Sequence, residues 1–203
     1  MADDALLAKL IVTDTGPLIT LAAADSLDYL LYPGVPLCVP DAVLYEATVG
    51  SDALGAQSIA DWVQKHSKRV RPLMTQIFAN YLADIDAGNL RRVRDLGERA
   101  ALEAIRFGLD LDANERAVFV TEDDRVLRGA FILTVEDRAR MIPMTTRDFL
   151  VGLEEAHRIN SADEVYRIAE DAGRFASRRR VLVEQHQQAR AAVERMLRGG
   201  TGT

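Results

Sequence analysis

The chain alternates short runs of consecutive apolar residues with longer segments in which apolar residues recur every three or four positions. The short runs predict buried strands, and the spaced segments predict amphipathic helices. The predicted strands are "LIVT" at 10–13, "PLCV" at 36–39, "AVFV" at 117–120 and "MIPM" at 141–144. The predicted helices span Ala53 to His66, Leu73 to Ile85, Glu98 to Phe107 and Thr146 to Ala156. This alternation predicts an α/β fold, a parallel sheet of four or five strands flanked by helices.

The stretch between the second and third predicted strands is long and contains two helical patterns. The second pattern places four apolar side chains on one face, namely Ile77, Tyr81, Leu82 and Ile85. A helical hairpin that stands off the sheet is the structure we expect here.

Strand patterns stop after Leu153, and the remainder of the chain is helical in pattern. "SADE" at 161–164 is a capping box, and a last helix is predicted from about Phe175 to Leu197. This helix has a short seam of residues four and three apart, which favours packing on the body or on a partner over a coiled coil. We therefore divide the chain into a domain at 9–155 and a C-terminal helical extension with a basic tail at 156–203.

Composition is that of an ordinary soluble protein, with 48% hydrophobic and 28% charged residues among 203. The acidic start "MADDALLAKL" is unlike a secretory signal, and no apolar stretch is long enough for a membrane anchor. The single cysteine, Cys38, cannot form an internal disulfide and is predicted to lie in the core. These features favour the cytoplasm.

Charge is distributed unevenly along the chain. From Arg174 onward the chain has seven arginines and two glutamates, a net charge of +5. Because the whole chain has a net charge of −6, residues 1–173 have a net charge of −11. An acidic body can hold cations, and a basic tail can contact phosphate or an acidic partner. Within the tail, Arg178, Arg179 and Arg180 are the predicted contacts to nucleic acid or to a partner.

Several acidic residues follow predicted strands or begin predicted helices, so the chain brings them to one edge of the sheet. Asp14 follows the first strand, Glu46 lies in the helix after the second, and Glu98 opens a later helix, with Glu103 as its alternative. The third strand ends in Glu122, Asp123 and Asp124. Carboxylates gathered in this way repel one another unless a divalent cation lies among them. Ligation by oxygen alone favours Mg²⁺ or Mn²⁺, the ions that assist attack of water on a phosphodiester.

Each acid also has a simpler interpretation. Asp14 could cap the turn that follows it, and Asp123 or Asp124 could cap the helix expected near Arg125. Glu46 and Glu98 could be solvated helix residues. Thr15 and Thr121, which neighbour the acids, are expected to bond to the backbone by default. His66, His157 and His186 lack metal-ligand spacing and are predicted to be surface residues.

Five motifs follow one another along the chain: "IVTDTGPLI" at 11–19, "VPDAVLYEAT" at 39–48, "LGERAALEAI" at 96–105, "VFVTEDDRVLR" at 118–128 and "IPMTTRDFL" at 142–150. In this order they resemble the motifs of the PIN-domain nucleases, and among them the VapC-like toxins of bacterial toxin-antitoxin pairs. The resemblance implies cleavage of RNA that depends on Mg²⁺ and leaves a 5′-phosphate. It also implies dimerisation and neutralisation by an antitoxin protein.

The acidic residues of that family correspond here to Asp14, Glu46, Glu98 and Asp123, which are the predicted catalytic residues. The predicted metal ligands are Asp14, Glu98 and Asp123, with Asp124 as an auxiliary.

Three other functions compete with the toxin. A phosphoacceptor domain also has an aspartate after its first strand, but this chain has no lysine near a later strand end to hold the phosphoryl group. A catalytically silent binding module with the same fold is the second, and a PIN nuclease with a non-toxin RNA or DNA target is the third.

Overall fold

A parallel five-stranded sheet forms the centre of the protein in the computed structural model, which describes residues 7–49, 54–89, 95–123, 139–176 and 183–199. The strands are β1 (Leu7–Thr13), β2 (Leu37–Pro40), β3 (Val70–Leu73), β4 (Glu115–Thr121) and β5 (Met141–Thr145). Their order in the sheet is β3-β2-β1-β4-β5. Since β1 lies in the middle with β2 and β4 on either side, the ends of these three strands meet at the centre of one edge.

Helices connect and flank the strands. The described α-helices are α1 (Thr15–Ala23), α2 (Asp41–Thr48), α3 (Ala56–Lys65), α4 (Gln76–Asp86), α5 (Leu96–Glu103), α6 (Thr146–Glu155), α7 (Ala162–Asp171) and α8 (Val183–Gly199). A 3₁₀ segment, Leu27–Leu31, follows α1, and a π-helical segment, Ala104–Gly108, continues α5. The predicted fold class, a parallel sheet flanked by helices, is confirmed.

The central strands β1, β2 and β4 are largely apolar because both faces of the sheet are covered. On β1, Ile11 packs in the larger core with residues of α1 and α6, whereas Leu10 and Val12 pack in a second core with α5. Cys38 belongs to this second core and is 1% exposed, as predicted. The alternation along each strand thus serves two cores.

The predicted helical hairpin between the second and third predicted strands is wrong. A fifth strand was missed there, because β3 separates α3 from α4 and pairs with β2. Its sequence is "VRPL", in which Val70 is buried while Arg71 and Pro72 are exposed. A short polar strand that contains proline is tolerated at a sheet edge, and only its pairing with β2 makes it a strand.

The C-terminal extension packs on the sheet and its helices. Helix α7 lies against α1, while α8 lies against α6, β1 and β5. The apolar side of α8 is buried there through Ala192, Val193, Met196 and Leu197. The predicted start of the last helix near Phe175 is wrong, since residues 174–176 are not helical. No helix in the described part of the chain is long and apolar enough to cross a membrane.

Candidate active site

Asp14 lies directly after β1 and is the N-cap of α1. Its Oδ1 accepts a hydrogen bond from the Thr15 amide at 2.6 Å, and its Oδ2 accepts one from the Thr121 hydroxyl at 3.1 Å. The residue is 6% exposed. Burial, together with the smaller effect of the charges of Glu46 and Asp123, raises the pKa of Asp14 to about 6. Asp14 therefore caps a helix, and it also faces other acids.

Glu46 reaches the same edge from α2. Its Oε2 accepts a hydrogen bond from the Thr15 hydroxyl at 3.1 Å, and the residue is exposed. Helix α5 approaches α2 closely here because residue 97 is glycine. A Cβ on Gly97 would lie 2.7 Å from Oε2 of Glu46 and 3.2 Å from Cγ2 of Val43. The missing side chain leaves the space that the Glu46 carboxylate occupies.

Glu98 follows Gly97 in the first turn of α5 and is half-buried. Burial, together with the nearby charges of Asp14, Asp123 and Glu46, raises the pKa of Glu98 to about 7. Glu46 and Asp123 thus lie within electrostatic reach of both Asp14 and Glu98. We call these four residues, Asp14, Glu46, Glu98 and Asp123, the acidic edge.

Asp123 completes the acidic edge just beyond β4. Its amide donates to the Thr121 hydroxyl at 3.0 Å, and the residue is half-buried. The structure thus brings together the four residues that the sequence predicted to be catalytic. Asp124, the predicted auxiliary ligand, and the predicted contacts Arg178, Arg179 and Arg180 lie outside the described residues.

Two threonines connect the acidic edge. The prediction of backbone bonding is confirmed for Thr121, which accepts from the Asp123 amide, but it missed the bonds from the two hydroxyls to carboxylates. The Thr121 hydroxyl donates to Asp14 and accepts from the Asp123 amide, while the Thr15 hydroxyl donates to Glu46. The signal was present in the sequence, because Thr15 directly follows Asp14 and Thr121 stands two residues before Asp123. The hydrogen bonds orient the carboxylates of neighbouring elements.

Other acids near the strand ends are engaged elsewhere. Glu103, the alternative to Glu98, accepts from the Gln76 amide at 2.6 Å and the Ile77 amide at 2.9 Å, at the start of α4. Asp148 is 1% exposed and accepts from the Thr145 hydroxyl at 2.6 Å in the cap of α6. These two acids therefore serve helix ends.

One histidine departs from the sequence prediction. His66 is half-buried, and its Nε2 lies 3.2 Å from Oδ1 of Asp28. His157 is exposed, as predicted. The side chain of His186 lies outside the described residues.

The acidic edge suits a hard divalent cation in its chemistry, since it offers carboxylate oxygens from four elements and no sulfur or imidazole. Burial disfavours the charged forms of both Asp14 and Glu98, and a cation would offset the repulsion between them. Within the described ranges, no three potential ligand side chains are already arranged around a common metal position. The residues fit Mg²⁺ or Mn²⁺ in type and charge.

Comparison of the amino-acid sequence with known protein families identifies the family of this chain. The model of the PIN domain matches residues 10–129, more than half of the chain, from β1 to beyond Asp123. The chain belongs to the PIN-domain family. The matched part of this PIN domain contains all four residues of the acidic edge, whereas β5 and the helices α6, α7 and α8 follow it.

No curated protein and no solved structure gives a significant match to the chain. PIN domains are generally nucleases and usually use divalent metals, so the family supports nuclease chemistry at the acidic edge.

Proposed function

We propose that the protein is a Mg²⁺-dependent endoribonuclease that hydrolyses RNA phosphodiester bonds. The observation that carries the proposal is the acidic edge, where α1, α2, α5 and the end of β4 direct carboxylates at one another. Burial and mutual repulsion make such an arrangement unfavourable for folding unless a cation offsets it. In a nuclease of the PIN family, this cation would assist hydrolysis of the phosphodiester bond.

Each residue has a role in the proposed reaction. Asp14, Glu98 and Asp123, with Asp124, would hold Mg²⁺ or Mn²⁺, which activates water and neutralises phosphate charge. Glu46 is exposed at the mouth of the site and would accept the proton of the attacking water. Thr121 fixes the Asp14 carboxylate, and Thr15 fixes that of Glu46.

We further propose that the nuclease is the toxin of a toxin-antitoxin pair, cytoplasmic and homodimeric, with an antitoxin protein as its partner. The support is the resemblance of its ordered motifs to VapC-like toxins. Sequencing of the neighbouring genes tests this proposal: a small upstream gene that encodes a DNA-binding antitoxin is the expected result. A PIN nuclease with a non-toxin RNA or DNA target is the alternative if no such gene is present.

Cleavage of total RNA with Mg²⁺, followed by mapping of the cut ends, tests the enzyme proposal. We expect cuts that leave a 5′-phosphate, that disappear with EDTA and that are lost in Asp14→Asn. Glu103→Gln is the matched control, because Glu103 binds backbone amides of α4 and lies outside the acidic edge. If the parent protein binds RNA but cuts none, it is a silent binding module. Cuts that persist in Asp14→Asn contradict the assigned site.

A further inference from the structure

Glu122 stands between two residues that organise the acidic edge. Thr121 precedes it and joins Asp14 to the Asp123 amide, and Asp123 follows it. Glu122 itself is directed elsewhere, and its side chain is only 10% exposed. The conformation of Glu122 therefore bears directly on the position of Asp123.

Three separate elements donate to the Glu122 carboxylate. Its Oε1 accepts from the hydroxyls of Thr20 on α1 at 2.8 Å and Thr146 on α6 at 2.9 Å. Its Oε2 accepts from Nη2 of Arg174 at 2.9 Å, in the segment after α7. The turn after β4 is thereby attached to both flanking helices and to the C-terminal extension.

Arg174 is the charged member of this set. Its Nε also donates to the Thr20 hydroxyl at 3.1 Å, which closes a ring of hydrogen bonds through Glu122. In the ranges that the structure describes, no second cation pairs with Glu122. A buried carboxylate that loses its cation is strongly unfavourable, so this turn depends on Arg174.

The same carboxylate also fixes the start of α1. A Cβ on Gly16 would lie 3.0 Å from Cβ of Glu122 and 3.2 Å from its Oε2, so glycine allows the first turn of α1 to approach Glu122. Asp14 caps that first turn. Glu122 thus sets the separation between the element that carries Asp14 and the one that carries Asp123.

We propose that Arg174, acting through Glu122, is a positioning residue for the metal-binding carboxylates of the acidic edge. The inference rests on the proposed metal-dependent function, and it assigns to the C-terminal extension a part in a site whose acids lie within residues 10–129. Replacement of residues that orient metal ligands without binding the metal themselves typically weakens metal affinity by about 10- to 100-fold. Arg174 contacts none of the four acids and acts only through the turn.

A titration with Mn²⁺ alone tests the proposal without any activity measurement. Binding is measured as the loss of the free-ion signal in electron paramagnetic resonance. We expect Arg174→Gln to weaken Mn²⁺ binding about 10-fold in folded protein. Arg190→Gln is the matched control, since Arg190 also joins the extension to the body, with Nε 2.9 Å from Oε2 of Glu155. Its Mn²⁺ affinity should equal that of the parent protein.

The double variant Glu122→Gln with Arg174→Gln should recover part of the lost affinity, because no unpaired charge then remains beside Asp123. If Arg174→Gln is unfolded at 25 °C, Thr146→Val replaces it. This variant keeps the ion pair and removes one donor to Glu122, so Mn²⁺ binding should again weaken.

A purely structural ion pair would give a different result: a lower melting temperature with unchanged Mn²⁺ affinity of the folded variant. That result overturns the positioning role. Asp14→Asn separates this failure from failure of the proposed function. If Asp14→Asn binds Mn²⁺ as tightly as the parent protein, the metal site itself is wrong.

Discussion

Asp14 and Asp41 occupy equivalent places in the fold but are held in opposite ways. Each directly follows a parallel strand, and they are 6% and 8% exposed. Asp14 faces other acids. The charges of Glu46 and Asp123 raise the pKa of Asp14, and the charge of Asp14 raises the pKa of Glu98.

Asp41 instead faces donors from the start of α4. Its Oδ1 accepts from the Ala42 amide at 2.9 Å and the Thr75 hydroxyl at 2.7 Å, and its Oδ2 accepts from the Thr75 amide at 2.9 Å. A buried carboxylate after a strand is therefore no mark of an active site by itself. The chemical identity of what faces it decides between structure and function.

The largest expected effect comes from Asp14→Asn. We expect loss of RNA cleavage by at least about 100-fold. Without metal the variant should melt at the same temperature as the parent protein or higher, because a buried charge has been removed. Mg²⁺ stabilises only a folded protein that binds it, so the rise in melting temperature on adding Mg²⁺ should shrink. An undiminished rise would show that Asp14 is only a cap.

The converse change is Asp41→Ala, which should leave metal binding intact and lower stability. Three donors lose their acceptor, and we expect about 3 kcal/mol of destabilisation. Thermal melting with and without Mg²⁺ measures both quantities in one experiment. Asp41→Asn keeps one acceptor oxygen and should lose less. If Asp41→Ala instead removed the Mg²⁺-dependent rise, the contrast between the two aspartates would be wrong.

A smaller effect is expected from replacing Arg178, Arg179 and Arg180 together with glutamine. If these residues contact RNA phosphates, affinity for RNA should fall and the slope of log affinity against log salt should flatten by about 2. Filter binding across a salt series gives both values. Mn²⁺ affinity is the control and should not change. Unchanged binding of RNA and of an antitoxin at low salt would leave the tail without a binding role.

The smallest effect concerns pH, because burial and neighbouring charges raise the pKa of Glu98 to about 7. Since the folded protein holds this proton more tightly than the unfolded chain, the stabilisation is present below about pH 4.5 and is lost as the pH rises through about 7. In EDTA, the parent protein should therefore lose stability relative to Glu98→Gln as the pH rises from about 4.5 to about 7. The melting temperature of the variant minus that of the parent protein should increase by a few degrees over this pH range.

Glu164→Gln is a control of opposite sign for the pH series. Hydrogen bonds from Arg167 lower the pKa of Glu164, so its stabilisation is present at neutral pH and is lost on acidification. Relative to the parent protein, Glu164→Gln should be less stable near neutrality and equal to it in acid. A Glu98→Gln curve that followed this control would show that Glu98 is stabilised in its charged form.

The sequence by itself determined the parallel α/β fold and three acids of one edge. Apolar runs predicted β1, β2, β4 and β5. The first three of these are the inner strands of the sheet, where burial on both faces favours apolar residues. The rule that parallel strands end at one edge then brings Asp14, Glu46 and Asp123 together.

Only the tertiary structure decided the features that depend on contacts between residues distant in the sequence. Strand β3 has no apolar run and exists because β2 offers a pairing edge. The choice of Glu98 over Glu103 depends on the rotation of α5, which directs Glu103 to the amides of α4. The ring of Glu122, Thr20, Thr146 and Arg174 joins residues up to 154 positions apart, and no local pattern encodes such a contact.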